Sequence, residues 1–365
     1  MRSDASIFLL PESDSASSRT CSPGSTPTPT PSPSPSPNLS RKRLRSLDRT
    51  DASPVARPLH KTKAMSLVDA APELADARDI RRALRSHHFY IDEEHSFERD
   101  NQVRKFAESI KNTLCSSPGL SEDEQRDVVT IVRRMQDHVE ANVIDALVPF
   151  LFPLPEAALG KPGLAKNRDV ELRQECVPDP ETEIGSPSLR QHLETVGSPK
   201  PSLVFGYTDS SFSRRQASVN ESFPDIAGLS RGMQHPFFFV EWKSGSNGGT
   251  LYDAQNQAMR TGAALVNARA DLFELAYPTE TASPRDACIF SCTIDTFTAA
   301  TYVHWCTSDT SGNRYFYMNT LSVYVLVRKA DVWQFEREVE SITDWGLGRR
   351  LQETKAVLDV IFYGL

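Results

Sequence analysis

Glu241 and Lys243 follow directly on the apolar run Pro236-Phe237-Phe238-Phe239-Val240, and they are the residues of this chain best placed to do chemistry. Four bulky apolar residues after a proline predict a strand buried on both faces. The two-residue period of a strand puts Glu241 and Lys243 on one face and turns Trp242 to the other. Charges at the end of a buried strand cost desolvation energy unless they pair with each other or hold a ligand. One reading is therefore a plain ion pair. The other is a hydrolytic centre in which carboxylates hold one or two Mg2+ (or Mn2+) ions, because hard divalent cations take carboxylate oxygens. Such an ion lowers the pKa of a bound water and takes up charge on a phosphate, while a lysine orients the water or stabilises the pentavalent phosphorus. On this reading Glu241 and Asp225 are the metal ligands and Lys243 is the catalytic cation, which makes the expected activity that of a metal-dependent phosphodiesterase.

The neighbouring elements would have to position this strand end. Ser244 to Gly249 reads as a flexible turn, and Thr250 with Asp253 predicts a capped helix reaching about Leu275. Gln255, Asn256 and Gln257 fall in its first turns, where they could face Glu241 and Lys243. Ala254, Ala258, Gly262 and Leu265 form a stripe of mostly small residues that lets the helix lie close to a sheet. A strand is expected at 201–207, entered through proline, and further strands at 287–293, 300–307 and 315–327, the last two joined by a hairpin loop at 308–313. Apolar spacings of three and four predict helices over 96–114 and 121–148, the latter opened by a Ser121/Glu124 capping box. A weakly patterned helix is expected within 72–90, a short one over 186–196, and two amphipathic ones over 331–343 and 348–363. The fold class is thus α/β (α+β): a helical part over 90–150, a mixed sheet core over 200–330 and C-terminal helices over 331–363.

Composition excludes several function classes. With 41 Lys and Arg against 48 Asp and Glu, the net charge of -7 carries no global basic signature for nucleic acid. No apolar run approaches the length needed to span a membrane, and the N-terminus is too charged for a signal peptide. Six cysteines without a C-x-x-C pair fit reduced intracellular thiols, and Cys288 and Cys292 share one strand face as core residues. Residues 1–70 read as a disordered tail, with Pro at nearly every second position over 22–37. Within it Arg41-Lys42-Arg43-Leu44-Arg45 has the form of a nuclear-import signal, so an intracellular, nuclear location is expected.

Pro224-Asp225 followed by Glu241-Trp242-Lys243 resembles the signature of the PD-(D/E)XK, or restriction-endonuclease-like, nuclease superfamily. The chain is also similar to a fungal family that carries a domain of unknown function. That likeness runs through PKPSLVFGY (199–207), PFFFVEWKS (236–244), AQNQAMRTGAALVN (254–267), TYVHW (301–305) and SITDWGLGRRLQ (341–352), across residues 95–362. The resemblance implies a restriction-endonuclease-like sheet flanked by helices, magnesium-dependent cleavage of nucleic acid, with DNA favoured over RNA, and a site role for Gln257. One departure matters. Many relatives begin the 201–207 strand with Pro-Asp, and this chain has Ser202, whose hydroxyl brings no charge to offset that of a cation. Either Asp225 or Asp209 then supplies the second carboxylate from a loop, or the site is incomplete and a catalytically inactive fold serves as a protein or nucleic-acid interaction module. Nucleic-acid binding predicts a basic groove beside the site, drawn from Arg214, Arg215, Arg231 and Arg260.

Overall fold

The apolar run around Phe238 forms an interior strand of a seven-stranded sheet, and from Phe238 to Trp242 its alternating side chains point to opposite faces, while Phe237 packs against Trp345 in the same layer as Phe238. The computed structural model describes residues 77–93, 96, 101–113, 119–153, 163–172, 178, 199–227, 232–244, 249–280 and 282–364, within a unit that runs from Ala70 to Leu365. The tail with its basic cluster, the helix expected at 186–196 and residues 245–248 of the turn lie outside the described residues.

In chain order the elements are α1 (Ala77–Ser86), β1 (Phe89–Ile91), α2 (Asn101–Lys111), α3 (Glu122–Arg134), α4 (Glu140–Leu151), β2 (Leu164–Arg168), β3 (Leu203–Tyr207), α5 (Arg214–Ser222), α6 (Pro224–Ala227), β4 (Gln234–Trp242), α7 (Leu251–Ala276), β5 (Ile289–Ile294), β6 (Thr298–Ser308), β7 (Arg314–Val325), α8 (Lys329–Trp345) and α9 (Leu351–Gly364). The sheet order is β1-β7-β6-β5-β4-β3-β2. β4 and β5 are parallel, as a crossover through α7 requires, and β1 is parallel to β7. The other pairs are antiparallel. Turn chemistry sets the β5-β6-β7 meander: the Asp295 carboxylate accepts the N–H groups of Phe297 and Thr298, and Asp309 accepts those of Ser311 and Asn313.

One face of the sheet packs against α2, α3, α4 and α8, and Phe238, Val240 and Trp242 of β4 belong to that layer, while α9 packs on α5 and α7. The other face packs against α1 and α7, with Phe239 of β4 beneath them. No helix among the described residues is long and apolar enough to cross a membrane.

Two expectations need correction, and one strand carried no sequence signal. The helix expected over 121–148 is two helices: Met135 ends α3, and Val139 opens α4 in an extended conformation. The Ser244 hydroxyl donates to the His138 carbonyl at 2.9 Å, so a tertiary contact holds the break that the apolar stripe does not reveal. The segment expected as helix to residue 90 instead passes through His88 at φ 62° into β1. β2, with the sequence LAKNR, lacks the β-branched and aromatic residues that signal a strand. It forms by pairing along β3 as the outermost strand, where charged side chains are tolerated.

Candidate functional site at the end of the fourth strand

Glu241 is the penultimate residue of β4 and is only 2% exposed. Thr261, at the middle of α7, donates its hydroxyl to Glu241 Oε1 at 2.8 Å, which places the carboxyl on the α7 face while Trp242 enters the opposite layer. The alternation expected from the strand period is therefore present. Burial pushes the Glu241 carboxyl up to about 7, against the lowering effects of the Thr261 hydrogen bond and the Lys243 charge. Lys243 is half-buried just beyond the strand.

A second carboxylate acts on this group, and it is one that sequence reasoning missed. Glu140, the first residue of α4, is half-buried, accepts a hydrogen bond from the Ser244 backbone and interacts with Lys243 and Glu241. Its pKa is raised, first by burial, with Lys243 opposing. Glu140 reaches this position because of the break between α3 and α4. No spacing within the sequence links residues 140 and 241, so no sequence signal pointed to it.

Ser202 occupies the position that the superfamily resemblance singled out. Leu203 pairs with Val240 in the antiparallel β3–β4 ladder, so the next position outward sets Ser202 across from Glu241. Ser202 is 8% exposed, and its Oγ accepts the backbone N–H of Trp242 at 3.0 Å. The hydroxyl thus extends the ladder just before β3 begins.

The two alternative carboxylates lie elsewhere. Asp209 Oδ1 accepts from the side chain of Gln234 at the opening of β4. Gln234 and Glu241 are separated along the strand by roughly 23 Å at about 3.3 Å per residue, so Asp209 does not share an ion with Glu241. Asp225 is exposed on α6, and the preceding helix is tied to the opening of β4 by a 3.0 Å contact between Asn220 Oδ1 and His235 Nε2. The charged groups that act on Glu241 are Lys243 and Glu140. Gln257 lies one turn before Thr261 on the same side of α7 and is exposed. Its neighbours are the engaged amides: Gln255 donates to the Tyr302 hydroxyl at 2.9 Å and accepts from Arg81, while Asn256 Oδ1 accepts from Arg81 Nε at 2.6 Å.

Among the described residues, no group of three or more His, Cys, Asp or Glu is placed to hold a metal ion. The donors present fit magnesium poorly on chemical grounds. Glu241 is enclosed, bonded to Thr261 and easily protonated, Glu140 is also raised by burial and is engaged by the Ser244 backbone, and the residue across the ladder offers a hydroxyl already used by the backbone.

The arginines expected to form a groove are dispersed. Arg214 and Arg215 lie on α5, where the Arg215 guanidinium donates to the Tyr363 hydroxyl of α9, and Arg260 is buried on α7. Arg231 lies outside the described residues. The concentration of arginine is instead on α1. A family model described as Domain of unknown function (DUF7924) matches residues 127–358. No curated protein and no solved structure matches the chain.

Proposed function

The chain belongs to the DUF7924 family, and we propose that it is a PD-(D/E)XK-like module that binds nucleic acid, DNA before RNA, without cleaving it. The observation that carries this reading is Ser202 across the ladder from Glu241, committed to the Trp242 N–H. Phosphodiester cleavage by this type of centre needs carboxylates that share an ion. Here the cross-strand carboxylate is replaced by a neutral ladder acceptor, and Glu241 has become a structural acid hydrogen-bonded to α7. Lys243 keeps a role in phosphate attraction. Its stem lies against Gly249, where an added Cβ would come within 3.0 Å of Lys243 Cδ, next to the capped start of α7.

The test is cleavage of single- and double-stranded DNA and RNA with magnesium or manganese. Wild type is expected to show neither cleavage nor a metal-induced rise in Tm. Ser202→Asp places a carboxylate opposite Glu241. It is expected to lower Tm in EDTA, because like charges meet in a buried setting, and to regain stability when magnesium or manganese is added. Metal-dependent cleavage by wild type, lost in both Glu241→Ala and Lys243→Ala with their melts unchanged, would establish a nuclease and sink this reading.

The basic cluster at 41–45 supports a nuclear destination. A fluorescent fusion is expected to leave the nucleus when Arg41, Lys42, Arg43 and Arg45 are changed to alanine. Unchanged nuclear retention would remove that part of the proposal.

A further inference from the structure

We infer that the groove between α1 and the start of α7 holds the sugar–phosphate backbone of single-stranded nucleic acid. This inference rests on the nucleic-acid-binding reading above and deepens it by placing the contact away from the Glu241 carboxyl. The groove has a volume of about 810 Å³, and its lining includes four arginines, Arg78, Arg81, Arg82 and Arg85, together with Thr250 and Tyr252. They share one side of a ten-residue helix because they recur at spacings of three, four and seven.

Three carboxylates, Asp79, Asp92 and Asp253, stand near the four arginines and leave the groove with positive charge in excess. Asp253, on the groove wall, accepts from both the backbone and the hydroxyl of Thr250 and so serves to cap α7. Asp79 forms an exposed ion pair with Arg82, which a phosphate can replace at small cost in stability. Arg81 is held by two neutral amides, Gln255 and Asn256, rather than by an acid. Those bonds fix its guanidinium 4.0 Å from the centroid of the Tyr252 ring. A rigid guanidinium fork is suited to phosphate oxygens.

Tyr252 decides between strand forms. It remains 37% exposed at the groove although Arg81 lies over its ring. An aromatic surface beside a basic track is the arrangement that accepts unstacked bases, each worth far more to a single strand than to a closed duplex.

The test measures binding of the full chain to a labelled oligothymidylate and to a DNA duplex over a range of salt. A parallel set carries alanine at Arg41, Lys42, Arg43 and Arg45 to separate binding by the tail. Arg82→Glu with Arg85→Glu, both exposed on α1, is expected to weaken single-strand binding about tenfold or more and to flatten the salt slope by about 1.4, the contribution of two phosphates. Tyr252→Ala is expected to weaken single-strand binding about tenfold with little effect on the duplex, and Arg214→Glu on α5 is expected to change neither. Binding by wild type that is indifferent to the α1 reversals overturns the groove and leaves the broader reading standing. Absence of binding to any nucleic acid by wild type overturns both. Tighter binding of duplex, unaffected by Tyr252→Ala, overturns the single-strand assignment.

Discussion

Gly262→Ala is expected to destabilise the fold by about 3 kcal/mol or more, among the largest effects available to one added methyl group. A Cβ at position 262 would lie 1.9 Å from His304 Nδ1 and 2.4 Å from two carbons of the same ring. The ring has little room to yield. Its Nε2 is 2.7 Å from Ser291 Oγ on β5, and it packs against Phe239 of β4 with centroids 5.4 Å apart. Alanine favours a helix over glycine by about 1 kcal/mol, so a net loss of stability would show that the steric clash outweighs that gain. The affected contact is the one that brings α7 onto the sheet, and Thr261, the partner of Glu241, is its neighbour in sequence. Urea unfolding of Gly262→Ala, His304→Ala and the double variant checks this. The double variant should recover part of the loss because the methyl group then has space. A Gly262→Ala protein as stable as wild type would show that helix and sheet do not meet this closely.

Glu241→Gln is expected to become more stable than wild type as pH rises, by roughly 3 kcal/mol between acid and mildly alkaline conditions, at about 1.4 kcal/mol per tenfold change in proton affinity. Burial holds the carboxyl at about 7 in the folded protein, above its ordinary value of 4.5. A raised folded value means that the native state binds the proton more tightly than the unfolded chain. The stabilisation is therefore fully present below about 4.5 and is lost as pH climbs through about 7. Glutamine keeps an oxygen that can accept from Thr261 and has no charge to desolvate, so it escapes that loss. Other buried titrating groups, such as His235 and His304, whose pKa values burial lowers to about 3, are common to both proteins and cancel in the difference. Paired denaturation curves from pH 5 to pH 8 measure the effect. A constant difference would show that Glu241 is ionised throughout. Stabilisation of wild type alone by magnesium at pH 8 would instead show that the carboxylate holds a cation.

Much of the architecture was legible in the chain because it is written in local periodicity. The two-residue alternation through Phe239, Val240, Glu241 and Trp242 determined which side chains share a face. The Thr250/Asp253 box determined where α7 begins, and the small-residue stripe with Gly262 determined that it lies close to the sheet. The β6–β7 hairpin followed from its Asp-Thr-Ser-Gly-Asn loop. Elements held by contacts distant in sequence were not legible. β2 exists because β3 offers it a ladder, and the α3–α4 break is held by Ser244, more than a hundred residues away.

The candidate site divides along the same line. Sequence alone identified Glu241 and Lys243 as charges at the end of a buried strand, and the resemblance to relatives that begin the 201–207 strand with Pro-Asp singled out Ser202. Tertiary structure decided which groups surround them. Glu140 stands beside Lys243, Asp209 is at the other end of β4, and Asp225 is exposed on α6. It also decided that the concentrated positive charge lies on α1 against the start of α7, while Arg214 and Arg215 lie on α5. The physical reason is that periodicity fixes the direction of a side chain from its own backbone, whereas the field and solvation at a carboxyl depend on residues that only packing brings near.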